Sequence, residues 1–324
     1  SRPVVAMSRL RANEPCWCGS RAKLKRCHGD HERYRRHPIR PGVIGPVRPV
    51  DESIVRPPYV GTGRRSPPSS RQIFAGDDLV RLRHACRIAA EVLAEAGAAV
   101  APGITTDELD AIAHAAYVAR GAYPSTLGYG TYTKSVCTSV NEIVCHGIPD
   151  DRPLRDGDIV NIDVTAYIDG MHGDTSATFA VDGFDALDEP TRALIDTTRD
   201  AMLAGIAAVA PGGQLRDIGR AVESLASARG YGVVRDYGGH GIGEVFHGPP
   251  HVSHVDSRSD PMPLVPGLCF TVEPMITAGV HTHHEWDDGW TVATDDGLPC
   301  AQFEHTVIVT DDGVEVLTVT AGDG

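Results

Sequence analysis

The sequence predicts an α/β (α+β) body that is built from two related halves. Apolar residues alternate in strand fashion between Asp158 and Asp174, around an Asp169-Gly170 dipeptide that favours a type I′ hairpin turn. The hexapeptide AAVAPG at residues 98–103 recurs letter for letter at residues 207–212, an offset of 109. Each copy separates two stretches of helical period, so each half consists of helix, Pro-Gly break, helix and then strands.

Composition argues against a membrane-spanning or disulfide-stapled protein. The 324 residues suffice for a large core, and they hold no apolar stretch of about 18 residues, the length that a membrane helix needs. The N-terminal residues lack the apolar run of a signal peptide. Eight cysteines, three of them clustered near the N-terminus, are too unevenly spread for a secreted disulfide framework. We therefore predict a cytoplasmic protein without a membrane partner.

Charge is distributed unevenly along the chain. Residues 1–75 carry 16 Lys and Arg against 5 Asp and Glu, whereas the remaining residues carry 14 against 38. A basic arm on an acidic body indicates that the arm meets a polyanion, most commonly nucleic acid. The acidic excess of the body suits cation binding, although most of those charges are expected to be solvated.

The basic arm contains a compact cluster of metal-ligating residues. Cys16 and Cys18 are one residue apart, and Cys27-His28 follows nine residues later, which supplies the four ligands of a structural zinc site. A segment this short has no core, so the zinc ion would hold its fold. The spacing resembles the SEC-C motif, and residues 1–37 are predicted to be a zinc-binding module that docks on RNA or a ribosomal surface. Docking on a protein and chance clustering are the alternatives.

Residues 38–74 are rich in Pro, Gly and Arg and poor in core residues, which predicts a semi-extended linker. Residues 46–49 match P-x-x-P, but no partner follows from this match in a stretch so rich in Pro. Tyr59 and Val60 are candidates for anchoring the linker to the body. The body itself is predicted to span residues 75–324.

Two helices open the first half of the body. Apolar residues fit a helical period from Asp77 to Val100, and Pro102-Gly103 ends this helix. Thr105 and Glu108 have the spacing of a capping box, which starts a second helix that ends near Gly121.

The hairpin that follows brings two acids together. If Asp169-Gly170 forms its turn, Asp163 lies opposite Ser176, and Asp174 is the diagonal neighbour of Asp163 on the same face. Carboxylates this close repel each other unless a cation lies between them, and a divalent ion is the usual solution. A solvated acidic face is the alternative, although the Gly, His and Thr of the second strand are unusual for an edge strand.

The second half supplies three more candidate ligands. His240 stands among glycines that let the backbone come close and leave the imidazole uncovered. Glu273 and Glu304 each stand in an apolar strand sequence, where an unpaired buried carboxylate is costly. Together with Asp163 and Asp174 they form a mostly carboxylate set, which suits two divalent ions bridged by shared oxygens.

Short motifs follow one another along residues 75–320, including KSVCTSVNE at 134–142, CHGIP at 145–149, HGDT at 172–175, GHGIG at 239–243, FTVEPM at 270–275 and AQFEHT at 301–306. Their identity and order resemble the type I methionine aminopeptidases. With the SEC-C-like module and the linker, the chain resembles an N-terminally extended, actinobacterial form of that family.

This resemblance implies a pita-bread fold, in which pseudo-two-fold halves share a curved antiparallel sheet and carry helices outside. It implies that Asp174 and Glu304 bridge two metal ions, that Asp163 holds one ion, and that His240 and Glu273 hold the other. Mn, Fe(II), Co and Zn all tolerate such a site, so the sequence does not predict the metal.

The resemblance also implies the reaction. Water activated by the two metal ions attacks the peptide carbonyl after the initiator Met of nascent proteins and peptides whose next residue is small. Glu273 shuttles the proton, and His146 and His247 stabilise the carbonyl oxygen and orient the substrate. The Met pocket is expected to be lined by Tyr129, Tyr132, Cys137, Phe246 and Trp290, for which core packing is the alternative role.

Three other interpretations remain. An aminopeptidase P or prolidase would share the five ligands but carry a larger N-terminal domain than the roughly 75 residues that precede this body. A pita-bread binding protein without activity should have lost ligands, and all five are present. A third possibility makes RNA binding by the basic arm the main function. Because two internal halves build the site, a monomer suffices.

Overall fold

The structure is a computed structural model that describes residues 38–65, 71–257 and 261–320. The predicted zinc ligands Cys16, Cys18, Cys27 and His28 lie outside the described residues. The helices of the described part are α1 (Gly76–Ala98), α2 (Thr106–Ala119), α3 (Glu189–Ala207) and α4 (Arg216–Ala228), with a 3-10 turn at Phe184–Ala186. Within these ranges, each helix is too short or too polar to cross a lipid bilayer.

Fifteen strands are present in the described residues. The first half contributes β1 (Tyr123–Pro124), β2 (Cys137–Val140), β3 (Ile143–Cys145), β4 (Ile159–Ile168) and β5 (Met171–Ala180). The second half contributes β6 (Gly232–Val233), β7 (Gly239–Gly241), β8 (Gly248–Val252), β9 (Cys269–Val272), β10 (Met275–Thr277), β11 (His283–Glu285), β12 (Val292–Thr294), β13 (Cys300–Gln302), β14 (Glu304–Val309) and β15 (Val314–Val316).

The two helix pairs occupy equivalent places in the two halves. α1 and α3 end at Ala98 and Ala207, and α2 and α4 end at Ala119 and Ala228, so both helix ends keep the 109-residue offset of the sequence repeat. The predicted capping box is confirmed at the start of α2. The Thr105 side chain accepts a hydrogen bond from the Glu108 backbone N–H, and the Glu108 carboxylate accepts one from the Thr105 backbone N–H. The predicted internal duplication is therefore a duplication of structure.

A nine-stranded antiparallel sheet forms the centre of the body. Its main path runs β1-β4-β5-β14-β9-β7-β8, with β2 paired to β4 and β15 paired to β14. β5 of the first half pairs with β14 of the second, so one continuous sheet joins the halves. Two three-stranded sheets, β13-β10-β6 and β11-β12-β3, lie beside it.

The β4–β5 hairpin has the predicted register. Asp169 and Gly170 have φ of 54° and 78°, as a type I′ turn requires at its two central positions. Ile168 pairs with Met171, and the register continues without a shift to Asp163, which pairs with Ser176. A one-residue slip would send both acids of the hairpin to the other face, so this two-residue turn fixes where they lie.

Helices cover each half with its own apolar core. α1 and α2 pack on β2 and β4 through buried residues such as Val92, Leu109 and Ile162, and α3 and α4 pack on the strands of the second half. α1 also approaches β5 closely, because an added Cβ at Gly173 would lie 2.4 Å from the backbone nitrogen of Cys86. This contact holds β5 rigidly at Asp174.

The segment predicted as a linker lies against the body over residues 38–65, which we call the N-terminal strap. Its apolar anchors are Val50, Ile54 and Tyr59, all buried. Val50 and Ile54 pack in one cluster with Leu127 and Tyr167 of the body, and Tyr59 packs in another with Tyr129 and Phe246. The predicted anchoring by Tyr59 is confirmed, since its ring is 3% exposed and its hydroxyl donates to the Ser125 carbonyl. The segment is extended, as its composition predicts, but it is packed rather than free.

Carboxylates of the body receive the polar groups of the strap. Asp150 Oδ2 accepts from the Gly42 backbone N–H at 2.8 Å. Arg48 donates to Asp107 Oδ2 at 2.8 Å and lies 3.5 Å from Asp110 Oδ2. The buried Lys134 pairs with the same Asp107, so two cations and two carboxylates meet beneath the strap. Side chains of the body thereby satisfy backbone and guanidinium donors that have no strand partner.

We predict that the strap contributes to global stability. Substitution Tyr59→Ala removes a buried aromatic ring and should lower the free energy of unfolding by about 3–5 kcal/mol. Tyr59→Phe leaves a buried carbonyl without its donor and should cost about 1–2 kcal/mol. The control is Val55→Ala, since Val55 lies four residues away and is 69% exposed. Urea denaturation measures all three; equal effects of Tyr59→Ala and Val55→Ala would show that the strap does not pack as described.

A second prediction concerns the buried Asp110. Burial raises the pKa of its carboxyl to about 6, although the backbone N–H of Ser135 and the charge of Arg48 act in the opposite direction. Because the folded pKa lies above the unfolded value of about 3.9, this carboxyl favours folding fully below pH 4. That contribution is lost as the pH rises through 6.

Between pH 4 and pH 7, the free energy of unfolding of the wild type should therefore fall by on the order of 2 kcal/mol more than that of Asp110→Asn. Denaturation curves across this range measure the difference. Glu52→Gln serves as control because its carboxyl is exposed on the strap. Parallel pH profiles of wild type and Asp110→Asn would contradict the assignment.

Candidate metal centre

Five adjacent strands of the central sheet each deliver one predicted ligand to a single cavity. In the order of the sheet, β4 carries Asp163, β5 carries Asp174, β14 begins at Glu304, β9 is followed directly by Glu273, and β7 carries His240. All five line a cavity of about 560 Å³. The duplicated strands of the two halves therefore converge on one site, as the sequence predicts.

The ligand atoms are close enough to share a cation. One donor atom each from Asp174, His240 and Glu304 lies within 4.8 Å of the others. His240 Nε2 lies 3.7 Å from Asp174 Oδ2 and 3.6 Å from Glu273 Oε1. Asp163 is near enough to Asp174 to form a hydrogen bond when one of the two is protonated.

Burial and mutual repulsion dominate the electrostatics of the four carboxyls. Burial raises the pKa of Asp163 to about 7 and that of Glu273 to about 8. Burial raises the pKa of Asp174 and Glu304 well above the ordinary range, and the negative charges of the neighbouring carboxyls raise it further. Four anions at this spacing need positive charge between them.

His240 is held in the form that binds a metal. Burial lowers its pKa to about 4, so the imidazole is neutral at physiological pH. Nδ1 lies 3.2 Å from the Gly241 carbonyl oxygen, which places the proton on Nδ1 and leaves the Nε2 lone pair directed at the carboxylates. A Cβ added at Gly239 would lie 2.1 Å from the Thr271 carbonyl oxygen, and one added at Gly241 would lie 1.9 Å from the Pro249 carbonyl oxygen. The glycines beside His240 thus permit the close strand packing that positions it.

Neutral donors orient the carboxylates. Thr165 Oγ1 donates to Asp174 Oδ1 at 2.8 Å, and Thr271 Oγ1 donates to Glu273 Oε1 at 2.7 Å. Gln302 Nε2 donates to Glu273 Oε2 at 3.2 Å. Such partners fix the direction of each ligand oxygen, as the outer hydrogen bonds of metal sites usually do.

The residues fit a metal ion. Among the described residues, Glu304 Oε1 is buried and has no hydrogen-bond partner, although a buried carboxylate oxygen ordinarily has one. Carboxylate oxygens with one imidazole nitrogen form a donor set suited to divalent ions such as Mn, Fe(II), Co and Zn. A cation among them would satisfy this oxygen and offset the repulsion of the four carboxyls.

Both predicted catalytic histidines line the same cavity. His247 Nδ1 lies 3.0 Å from the Tyr129 hydroxyl, and its ring centroid lies 4.3 Å from that of His240. Burial lowers the pKa of His146 to about 4 and holds the pKa of His247 well below its ordinary value. Both are therefore neutral, each with a ring nitrogen that can donate to a carbonyl oxygen.

The predicted pocket residues also line the cavity, namely Tyr129, Tyr132, Cys137, Phe246 and Trp290. Some of them are core residues as well, because Tyr129 and Phe246 pack with the strap residue Tyr59. At Tyr129 and Phe246, lining the cavity and packing in the core are therefore roles of the same side chain.

Other lining residues did not emerge from the sequence. Tyr237 and Met275 add an aromatic ring and a thioether to the wall, while Asp236 and Arg65 add charges. Met275 ends the FTVEPM motif and could have been found by its nearness to Glu273. Arg65 belongs to the strap, and no local signal indicates that a Pro-rich segment reaches the cavity.

Family models match both parts of the chain. The model of metallopeptidase family M24 matches residues 80–311, which include all five predicted ligands. The SEC-C motif matches residues 13–30, the location of the predicted zinc module.

Similar proteins agree with these matches. The chain is 54% identical to methionine aminopeptidase 2 of Mycobacterium tuberculosis over 280 residues, covering 86% of this chain and 97% of the relative. It resembles the crystal structure of methionine aminopeptidase from Rickettsia prowazekii with a TM-score of 0.74 and 45% identity, covering 76% of this chain and 99% of the other. The prolidase from Pyrococcus horikoshii shares the fold alone, with a TM-score of 0.62, 21% identity, and coverage of 77% and 64%.

The hydrogen bond from Thr165 to Asp174 yields a prediction about metal affinity. Thr165→Val removes the donor without changing the shape of the side chain, and it should weaken divalent-metal binding about 10- to 100-fold. Calorimetric titration of chelator-treated protein with Mn²⁺ or Co²⁺ measures the change, and Asp174→Ala should abolish binding.

The matched control for this titration is Thr198→Val. Thr198 is also fully buried, but its hydroxyl donates to the Leu194 carbonyl within α3. Equal metal affinity in Thr165→Val and Thr198→Val would contradict a role of Thr165 in orienting Asp174.

Proposed function

The chain belongs to metallopeptidase family M24, and within that family we propose that it is a methionine aminopeptidase of the pita-bread fold that removes the initiator methionine from proteins. The observation that carries this proposal is the convergence of Asp163, Asp174, His240, Glu273 and Glu304 in one cavity, in a chain that resembles methionine aminopeptidases along most of its length. The substrates are the N-termini of nascent proteins and peptides with a small second residue.

The five ligands would hold two divalent ions. Asp174 and Glu304 stand on the central pair β5–β14 and would bridge the ions, because each has neighbours from both halves of the sheet. Asp163 lies on the side of the first half, and His240 and Glu273 lie on the side of the second. When bound, such a pair supplies an activated water and polarises the scissile carbonyl.

The side chains of the cavity have distinct roles in this proposal. Glu273 accepts a proton from the attacking water and passes it to the amine that leaves, while Thr271 and Gln302 hold its two oxygens in place. His247 and His146 donate to the substrate carbonyl oxygen and orient the peptide. The hydroxyl of Tyr129 fixes the direction of the His247 ring.

The methionine side chain would lie among the aromatic and sulfur-containing residues of the wall. Thioethers make favourable contacts with aromatic rings. Trp290 is fixed by a hydrogen bond from its indole N–H to Thr131 Oγ1 at 2.9 Å, and the Tyr132 hydroxyl lies 3.0 Å from the Gly147 carbonyl. The wall is thus rigid, which favours one side-chain shape.

Prolidase activity is the competing function of the same fold. Against it stand the 21% identity to the prolidase and the 54% identity to a methionine aminopeptidase. Release of Met from Met-Gly-Met-Met without cleavage of Ala-Pro would support the aminopeptidase, and the opposite result would support the prolidase.

We propose further that residues 1–37 form a zinc-binding module with Cys16, Cys18, Cys27 and His28 as ligands, and that this basic arm docks on a ribosome or its RNA. The SEC-C match and the excess of Lys and Arg support this proposal. A cytoplasmic location and a monomeric state complete the proposal. They are supported by the five cysteines of residues 71–320, all buried and free, and by a site whose residues all come from one chain.

The test of the proposed activity is release of free Met from synthetic peptides. Metal-reconstituted wild type should release Met from Met-Gly-Met-Met and leave a Met-Lys peptide intact. Asp174→Ala should reduce release to background because it removes a ligand to both ions. Asp311→Ala, which removes an exposed carboxylate from the turn before β15, should behave like the wild type. Absence of Met release with any of Mn, Fe(II), Co and Zn would contradict the proposal.

A further inference from the structure

The N-terminal strap ends at the rim of the catalytic cavity. Arg65 is its last residue and lines the cavity together with Trp290 and His146. The backbone around it is fixed, because the Gly130 N–H donates to the Arg64 carbonyl at 3.2 Å and Tyr59 is buried six residues earlier. A residue of the strap therefore stands in a defined position beside the entrance.

The guanidinium of Arg65 lies over the face of Trp290. Its Cζ is 5.4 Å from the ring centroid, which is the distance of a cation–π contact. Added bulk on Gly130 would touch both the Trp290 ring and the Arg65 stem, so the three residues form one wall. This stacking orients the guanidinium plane and leaves its N–H donors at the edge.

Those donors have no carboxylate partner among residues 38–65, 71–257 and 261–320, where no acidic oxygen lies within 4.0 Å of Arg65. The residue is exposed. Burial is the main cause of the lowered pKa of His146, and the positive charge of Arg65 lowers it further. Within the described part of the chain, the charge of Arg65 thus has no carboxylate partner at the cavity.

Acidic side chains line the same cavity. Asp236 and Glu285 lie near Tyr237, and the Asp236 side chain is 80% exposed, with His283 Nε2 3.8 Å from its Oδ2. The rim therefore carries a cation on the Trp290 wall and two anions elsewhere. Because the charges of opposite sign lie at different places on the rim, they favour substrates whose own charges match them and disfavour the others.

We propose that Arg65 is a specificity-determining residue that binds a carboxylate of the substrate at its third residue, so that acidic third residues are favoured over basic ones. This inference rests on the proposed aminopeptidase function. The first residue occupies the inner pocket and the second is small. Since an extended peptide advances about 3.3 Å per residue, the third side chain is the first that can reach the rim.

The expected effect is modest because the pair forms at an exposed rim. Exposed ion pairs are screened by water, and a bidentate Arg–carboxylate contact lies at the upper end of their range. We expect kcat/KM for an acidic third residue to exceed that for its neutral isostere by about two- to fivefold at low salt. Salt at 0.5 M should remove most of this difference.

The experiment compares Met-Ala-Glu-Ala, Met-Ala-Gln-Ala and Met-Ala-Lys-Ala with metal-reconstituted full-length enzyme. Wild type should prefer Glu over Gln and Gln over Lys. Arg65→Gln should bring the ratio of kcat/KM for the Glu peptide to that for the Gln peptide close to one, and Arg65→Lys should retain part of the wild-type ratio. Arg64→Gln is the matched control, because the neighbouring arginine does not line the cavity. Met-Ala-Ala-Glu tests the position, since its carboxylate lies one residue too far.

Several results would overturn the assignment. Equal rates for the three peptides, or a preference for Lys that Asp236→Asn removes, would show that Arg65 does not select. An Arg65→Gln variant that loses activity equally on all three peptides would mean that Arg65 only supports the wall. If no peptide releases Met from the wild type with any metal, the proposed function itself fails, and that outcome is distinct from loss of charge selection.

Discussion

Four carboxylates buried in one cavity are the constraint on which the rest of the structure depends. Asp163, Asp174, Glu273 and Glu304 repel one another, and burial makes each charge harder to maintain. Without a cation the site would relieve this repulsion by taking up protons or moving the strands apart. A continuous sheet prevents the second response, because adjacent strands bonded along their length cannot separate singly. The four carboxyls therefore stay together, in positions that suit a bound cation.

The duplicated fold supplies this rigidity in a simple way. Each half contributes a helix pair, glycines at which neighbouring elements come close, and strands that carry acidic residues. The β5–β14 pairing joins the halves. Gly173 allows α1 to approach β5, and Gly239 and Gly241 allow neighbouring strands to approach β7. Glycine is required at these positions because any side chain would meet backbone atoms. The missing side chains of these glycines thus permit close packing around the predicted ligands.

Much of this could be predicted from the sequence because the signals were local. The Asp169-Gly170 turn determined the register of β4 and β5 over the whole hairpin, and the 109-residue repeat anticipated where all four helices end. The strap could not be predicted in the same way. Its composition is typical of a linker, and what holds it are carboxylates at Asp107, Asp110 and Asp150, which lie far away in sequence. Contacts of this kind leave no period or motif.

The strap also connects the N-terminal part of the described chain to the cavity. A free linker would make no specific contacts with the body, whereas the strap is bonded to it at Gly42, Arg48 and Tyr59. The strap begins at Pro38 and runs across the body to Arg65 at the rim of the cavity. Tyr59 of the strap packs on Tyr129, and the Tyr129 hydroxyl in turn lies within hydrogen-bond distance of His247, so the strap supports the wall of the cavity. The strap and the cavity are thus parts of one folded unit.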